Sequence, residues 1–223
     1  MQLHKPFATV TPTLDGDVLM VLARVEDESF TISQINRILP DVSGEGLRKV
    51  LNRLTAQGVV IHVQVGRTST YRFNTEHLAA EPIRALARMV EVFLNLLEEY
   101  LNTWEESPVY AAVFGSAMTG KMRLDSDIDI LLVRATAPEP VDSKTFSDTL
   151  WEEQVADLAR TVTAWTGNDA RVVEYTENDL RTAATAGEPL LNEIARHGRT
   201  VAGTKLWLLR QLRQSSHPNQ GRA

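Results

Sequence analysis

Residues 114–133 read FGSAMTGKMRLDSDIDILLV, and two carboxylates, Asp127 and Asp129, interrupt what is otherwise an apolar run. In a strand, residues two apart share a face, so these carboxylates converge while Ile128 and Ile130 turn to the other side. Burying two like charges together is costly unless a bound cation compensates. A hard ion such as Mg²⁺ (or Mn²⁺) suits the pair, because it takes one or two carboxylates and completes its shell with phosphate oxygens. Ten residues separate Asp127 from the Gly115–Ser116 pair upstream of it. Glycine lets a backbone approach a phosphate closely, and N–H groups at a helix start favour an anion. Ser116 adds a hydroxyl donor, and Lys121 and Arg123 are candidates to contact a triphosphate. The plain alternative is a solvated turn over 125–129, with Ser116 as an ordinary helix cap. The flanking Ile128, Ile130, Leu131 and Leu132 argue for burial instead.

Outward from this stretch the pattern alternates strands with helices. VYAAVF (109–114) and SDIDILLV (126–133) read as strands, with GSAMTG between them as a helix or turn. Residues 143–166 read as a helix entered through an Asp/Ser cap, and ARVVEYT (170–176) as a third strand. Helices over TENDLRTAATAG and PLLNEIARHG, a short strand RTVAG and a closing helix TKLWLLRQLRQ follow, ahead of a polar tail predicted to be disordered.

The N-terminal side has a different rhythm. Leu14, Val18, Val21, Leu22 and Val25 are spaced for an amphipathic helix. Thr31 is placed to cap a second helix that Pro40 ends, and Ser43 to cap a third with Leu47, Val50, Leu51 and Leu54 inward and Gly58 as its stop. Residues 59–74 read as a hairpin. Residues 78–104 continue with one long helical stripe, a linker that needs a partner surface and offers a homodimer seam.

Gly115, Ser116, ten intervening residues and Asp127-x-Asp129 resemble the signature of the polymerase-β-type nucleotidyltransferase superfamily, particularly its minimal branch. The closing stretch PLLNEIARHGRTVAG is similar to that family's final helix and strand, so the resemblance covers residues 107–205. It implies an α/β (α+β) domain with a mixed sheet and flanking helices. It also implies an NTP substrate held by Gly115, Ser116, Lys121 and Arg123, and Mg²⁺ held by Asp127 and Asp129. The acceptors it implies are a hydroxyl of a partner protein such as a toxin, a tRNA 3′ end, or a small antibiotic. Active members carry a third acid on a later strand. Aligned on its apolar pair, that strand puts Arg171 at the acid's position, and Asp169 and Glu174 stand as equal candidates to replace it.

Three helices and a hairpin resemble, by pattern only, winged helix-turn-helix regulators of the MarR/ArsR type. That resemblance implies duplex DNA as a partner. Arg48, Lys49 and Arg53 then sit on the exposed side of the third helix, and Arg67 and Arg72 on the wing, where phosphates or a minor groove would meet them. A scaffold or dimerisation wing with ordinary surface charge is the competing reading. The expected organisation is a winged helix over 1–77, a linker helix over 78–106, a nucleotidyltransferase-like domain over 107–205, and a helix with a polar tail over 206–223.

Composition bounds these readings. The 223 residues are 43% apolar, enough for one large domain or two small ones. With no cysteine, disulfides and thiolate metal sites are excluded. No secretory signal or apolar span is evident, which predicts a cytoplasmic protein with no membrane partner. Net charge is −6 but uneven, with residues 1–80 balanced at 8 Lys/Arg against 8 Asp/Glu, so a local basic face is still open. Two functions remain. One is an enzyme moving a nucleoside monophosphate from NTP·Mg²⁺ to a hydroxyl. The other is a DNA-binding regulator whose transferase-like domain senses a nucleotide or a partner; Arg171 favours it.

Overall fold

The computed structural model describes residues 1–136 and 144–215. The predicted Asp/Ser cap at 142–143 and the polar tail beyond 215 lie outside the described residues. The chain divides into two units, one spanning Gln2–Val92 and the other taking Met1 and everything from Phe93 onward.

The first unit is helical with a hairpin. After a short 3-10 turn at Pro6–Thr9 come α1 (Leu14–Arg24), α2 (Ile32–Ile38) and α3 (Gly44–Ala56). A capping box starts α2: Thr31 Oγ1 accepts from Gln34 N at 3.3 Å, and Thr31 N donates to Gln34 Oε1 at 2.8 Å. Ser43 Oγ accepts from Gly46 N at 3.1 Å and so starts α3. Strands β1 (Val60–Val65) and β2 (Thr68–Phe73) pair antiparallel about Gly66, whose φ of 63° suits glycine. Phe30, ahead of α2, exchanges two backbone hydrogen bonds of 2.8 Å with Tyr71 of β2, which ties the hairpin to the helices. Leu47, Val50, Leu51 and Leu54 of α3 join Val18, Leu22, Ile35, Tyr71 and Phe73 in one core.

The single long helix expected over 78–104 is two helices, α4 (Ala80–Ala87) and α5 (Met89–Asn102), separated at Arg88 with φ −100° and ψ 17°. Neither Pro nor Gly marks the break, so the 3.6-residue periodicity reads through it. The physical reason lies in packing: Ala80, Ile83 and Ala87 are committed to the first unit's core, whereas residues from Phe93 belong to the second unit.

The second unit is built on a four-stranded mixed sheet in the order β5-β4-β3-β6, formed by β3 (Tyr110–Phe114), β4 (Ile128–Arg134), β5 (Ala170–Thr176) and β6 (Arg199–Ala202). β3 runs antiparallel to β4 and β6, while β4 and β5 are parallel. Parallel pairing needs a crossover, and α7 (Lys144–Thr166) supplies it. One sheet face carries Tyr110, Ala112, Leu131 and Val133 against Leu180 of α8 (Glu177–Thr185), Leu191 and Ile194 of α9 (Pro189–His197), and Leu208 of α10 (Lys205–Ser215). The chain is thus mixed α/β, as expected. Among the described residues, no helix is long and apolar enough to cross a membrane.

Candidate functional site

β3 delivers the chain to Gly115, which holds φ 71° and ψ −147° before the one-turn helix α6 (Ser116–Thr119). Few residues other than glycine tolerate this backbone. Space imposes the same choice, because a β-carbon at Gly115 would collide with Asp129 Oδ2. The antiparallel register sets up the approach by placing Phe114 opposite Asp129. Ser116 is half-buried, and among the described residues its hydroxyl has no hydrogen-bond partner. Gly115, Ser116 and Asp129 are therefore brought together.

Asp129 is half-buried, but Asp127 is exposed and precedes β4, which begins at Ile128. The expectation of two carboxylates within a buried strand is corrected here. Only Asp129 is a strand residue, because Ile128 is the first to pair, with Ala170 across the parallel ladder. The Asp129 carboxyl is pushed above its ordinary value by burial. Arg171 draws it down in part, and the charges of Asp127 and Glu193 push it up again. The charge of Asp127 thus acts against ionisation of Asp129.

Arg171 is the register partner of Asp129 on β5, so a guanidinium occupies the place expected of the third acid. Neither candidate replaces it. Glu174 pairs in register with Leu132, on the opposite face from Asp129, and accepts from Trp151 Nε1 of α7 at 2.6 Å. The period of two along β5 requires this separation. Asp169 is exposed, and its backbone carbonyl accepts from Ile128 N at 2.8 Å. Among the described residues, no group of three or more His, Asp or Glu side chains could hold a metal ion.

Lys121 and Arg123 are exposed in the segment between the two halves of the signature. Arg123 N donates to Ser126 Oγ at 2.8 Å, which closes a turn just ahead of Asp127. That turn is held from behind by a residue the sequence reading missed. Asn168 is 4% exposed, and its Nδ2 donates to Ser126 O at 2.9 Å and Leu124 O at 3.2 Å. Its place after Gly167, in the turn entering β5, was the only sequence signal. Glu193 was also missed, since a polar position on amphipathic α9 reads as ordinary surface.

The donor set fits one hard divalent ion held by Asp127 and Asp129 and completed by phosphate oxygens. It does not fit a second ion that needs a third carboxylate.

In the first unit, Arg48 and Lys49 are exposed on α3, each 3.5 Å from Glu45 in surface pairs that contribute little. Arg53 is less free than expected, because its Nε donates to Asp15 Oδ1 of α1 at 2.9 Å. Arg67 is exposed at the hairpin tip, and Arg72 lies half-buried on β2 opposite Ile61.

No family model matches the chain, and no curated protein matches it. Several solved structures are similar to part of it. A toxin-antitoxin solved with AMP-PNP shares 20% identity at a TM-score of 0.36, covering 55% of this chain and 83% of that one. The toxin-antitoxin MntA-HepT shares 17% at a TM-score of 0.33, over 56% and 83%. A mutant of MntA-HpeT shares 18% at a TM-score of 0.38, over 55% and 83%. Likeness this slight does not carry function.

Proposed function

We propose that the second unit is a nucleotidyltransferase-type module that binds NTP with Mg²⁺ and transfers its NMP to a protein or RNA hydroxyl. The first unit is a DNA-binding winged helix that brings this activity to duplex DNA in the cytoplasm. The observation that carries the proposal is the close apposition of Gly115 and Asp129, which sets the start of α6 against a carboxylate that burial, and then the charge of Asp127, push up. Asp127 and Asp129 would hold the ion, whose chemistry is to neutralise phosphate charge as pyrophosphate departs. Ser116 donates its free hydroxyl to a phosphate oxygen, and Lys121 and Arg123 meet the outer phosphates. In the transfer, the acceptor oxygen bonds to the α-phosphorus and the bond to the bridging oxygen breaks. The acceptor's proton goes to water, because Arg171 stands where a carboxylate would take it. The resemblance in the Gly-Ser and Asp-x-Asp elements supplies the toxin-antitoxin setting. A homodimer along α5 belongs to the same proposal, since Val92 and Leu96 are exposed one turn apart.

The second reading, nucleotide binding without transfer, is favoured by one observation, the pairing of Arg171 with Asp129. One experiment separates the two. The protein is incubated with each radiolabelled NTP, Mg²⁺ and cell extract, and a thermal melt is run alongside. Label in protein or RNA, lost in Asp129→Asn, supports transfer. A melt shifted by NTP·Mg²⁺ with no label supports binding alone. A melt indifferent to both sinks the nucleotide site.

A further inference from the structure

In the second unit, α8, α9 and α10 frame a cavity that neither the nucleotide nor the DNA reading uses. Its volume is about 400 Å³, within the range of roughly 300–1,000 Å³ typical of small-molecule sites. Gly115, Ser116, Asp127 and Asp129 do not line it, so it is separate from the nucleotide site. Leu191 and Ala195 of α9 and Leu209 and Leu212 of α10 give it an apolar floor. Residues three or four apart share a helix face, so each helix turns one stripe into the cavity. The same spacing brings polar groups with it: Asn192 and Arg196 are four apart on α9, and Arg213 follows Leu209 by four on α10. Arg196 and Arg213 are exposed, and among the described residues no ion pair engages either one. Against these two cations the described lining sets one acid, Glu188, just ahead of α9. Two guanidiniums brought to one cavity repel, and an anion between them relieves that repulsion.

We propose that this cavity binds a small organic phosphate monoester, with a body of one ring or a short chain. A carboxylate offers two oxygens, which a single guanidinium fork fills. A phosphate monoester carries more charge and three acceptor oxygens, so it accepts from both arginines and from the amide of Asn192. The body lies on the apolar floor and removes part of it from water. Glu188 precedes Arg196 by eight residues, about 12 Å along a helix. Its charge repels the phosphate from that end, which orients the ligand with its anionic group at Arg196.

The test is an NMR titration of the full-length protein with phenyl phosphate and, separately, with the neutral analogue phenol. Phenyl phosphate should give saturable shifts at the amides of Ala184, Leu191 and Ala195, with a Kd below about 1 mM. Phenol should bind the same place several-fold more weakly, because it lacks the charge-assisted hydrogen bonds. Ala195→Trp fills the cavity and should abolish both sets of shifts. If that variant does not fold, the double variant Arg196→Gln, Arg213→Gln, which changes two exposed side chains, should lower phenyl phosphate to the level of phenol. The proposal is overturned if neither probe gives saturable shifts, if phenyl phosphate shifts only Gly115, Ser116 and their neighbours, if phenol binds wild type equally tightly, or if the double variant binds phenyl phosphate as wild type does.

Discussion

Gly115 and Asp129 fit together so closely that no side chain at the first position leaves the carboxylate of the second where it is. Gly115→Ala would force a backbone at φ 71° and ψ −147° onto a residue that resists it, and would push Asp129 Oδ2 aside. The expected cost is about 1–3 kcal/mol of stability, chiefly from the backbone. Urea unfolding of Gly115→Ala alone and combined with Asp129→Ala measures it. Because Asp129→Ala removes the collision but not the backbone strain, the combined cost should fall short of the sum of the singles.

Asp129 also makes stability depend on pH. Its folded value lies above the ordinary 3.8, so the folded state holds the proton more tightly than the unfolded chain. Stability from this group therefore falls as pH rises from the ordinary carboxylate value through the raised one. Asp129→Asn should be more stable than wild type near pH 7, and the difference should shrink toward about pH 4. Denaturation midpoints across that window check the sign, and a constant difference would refute it.

Arg171 counteracts the burial of Asp129. Arg171→Ala removes the downward influence on that carboxyl, so its titration, followed by carboxyl carbon NMR, should move further up. Arg171→Asp goes further and installs a third carboxylate in register with Asp129. If a missing acid limits the chemistry, this variant should label acceptor hydroxyls faster than wild type. Equal or slower labelling would mean that the guanidinium is itself part of the site.

Much of this was legible in the sequence because local signals and global packing agreed. Thr31 with Gln34, and Ser43 with Gly46, cap the helices their spacing suggested. Arg171 reached its place beside Asp129 because β5, an edge strand, pairs in parallel register with the buried β4. The break at Arg88 was not legible, since it arises from which unit the helix face packs into rather than from a local breaker. Nor was the tie of Arg53 to Asp15, which spans 38 residues and has no sequence pattern. Asn168 was hidden for a related reason, as its work is to bond carbonyls distant in sequence.

That work gives a direct expectation. Asn168→Ala strips two donors from the carbonyls of Leu124 and Ser126, at the turn that presents Asp127. Leaving such groups unsatisfied costs about 1–3 kcal/mol. Asn168→Asp should cost at least as much, because an ionised carboxylate cannot donate. Hydrogen exchange should quicken at Ser126 and Ile128 in both variants while β3 stays protected. Uniform quickening across the sheet would mean that the residue supports the whole fold rather than the turn.

Duplex DNA tests the other unit. Arg48 and Lys49 are held only by exposed pairs to Glu45, so both are free to exchange that carboxylate for phosphates. Arg53 is engaged with Asp15, whose carboxyl burial pushes up but whose hydrogen bonds from Arg53 and Thr13 bring below its ordinary value. That pair contributes stability above the ordinary carboxylate value, lost as pH falls through the lowered one. Arg53→Ala should therefore weaken the fold at neutral pH as well as any DNA contact. The cleaner probe is the double variant Arg48→Ala, Lys49→Ala, which touches nothing in the core. In a mobility-shift assay with DNA from the protein's own promoter region, wild-type binding should weaken steeply as salt rises, because phosphate contacts release counterions. The double variant should bind more weakly at low salt, and the slope of log Kd against log salt should be shallower by up to about two phosphates' worth. An unchanged slope with an unchanged melting curve would show that α3 does not face DNA, and would leave the helical unit as a scaffold.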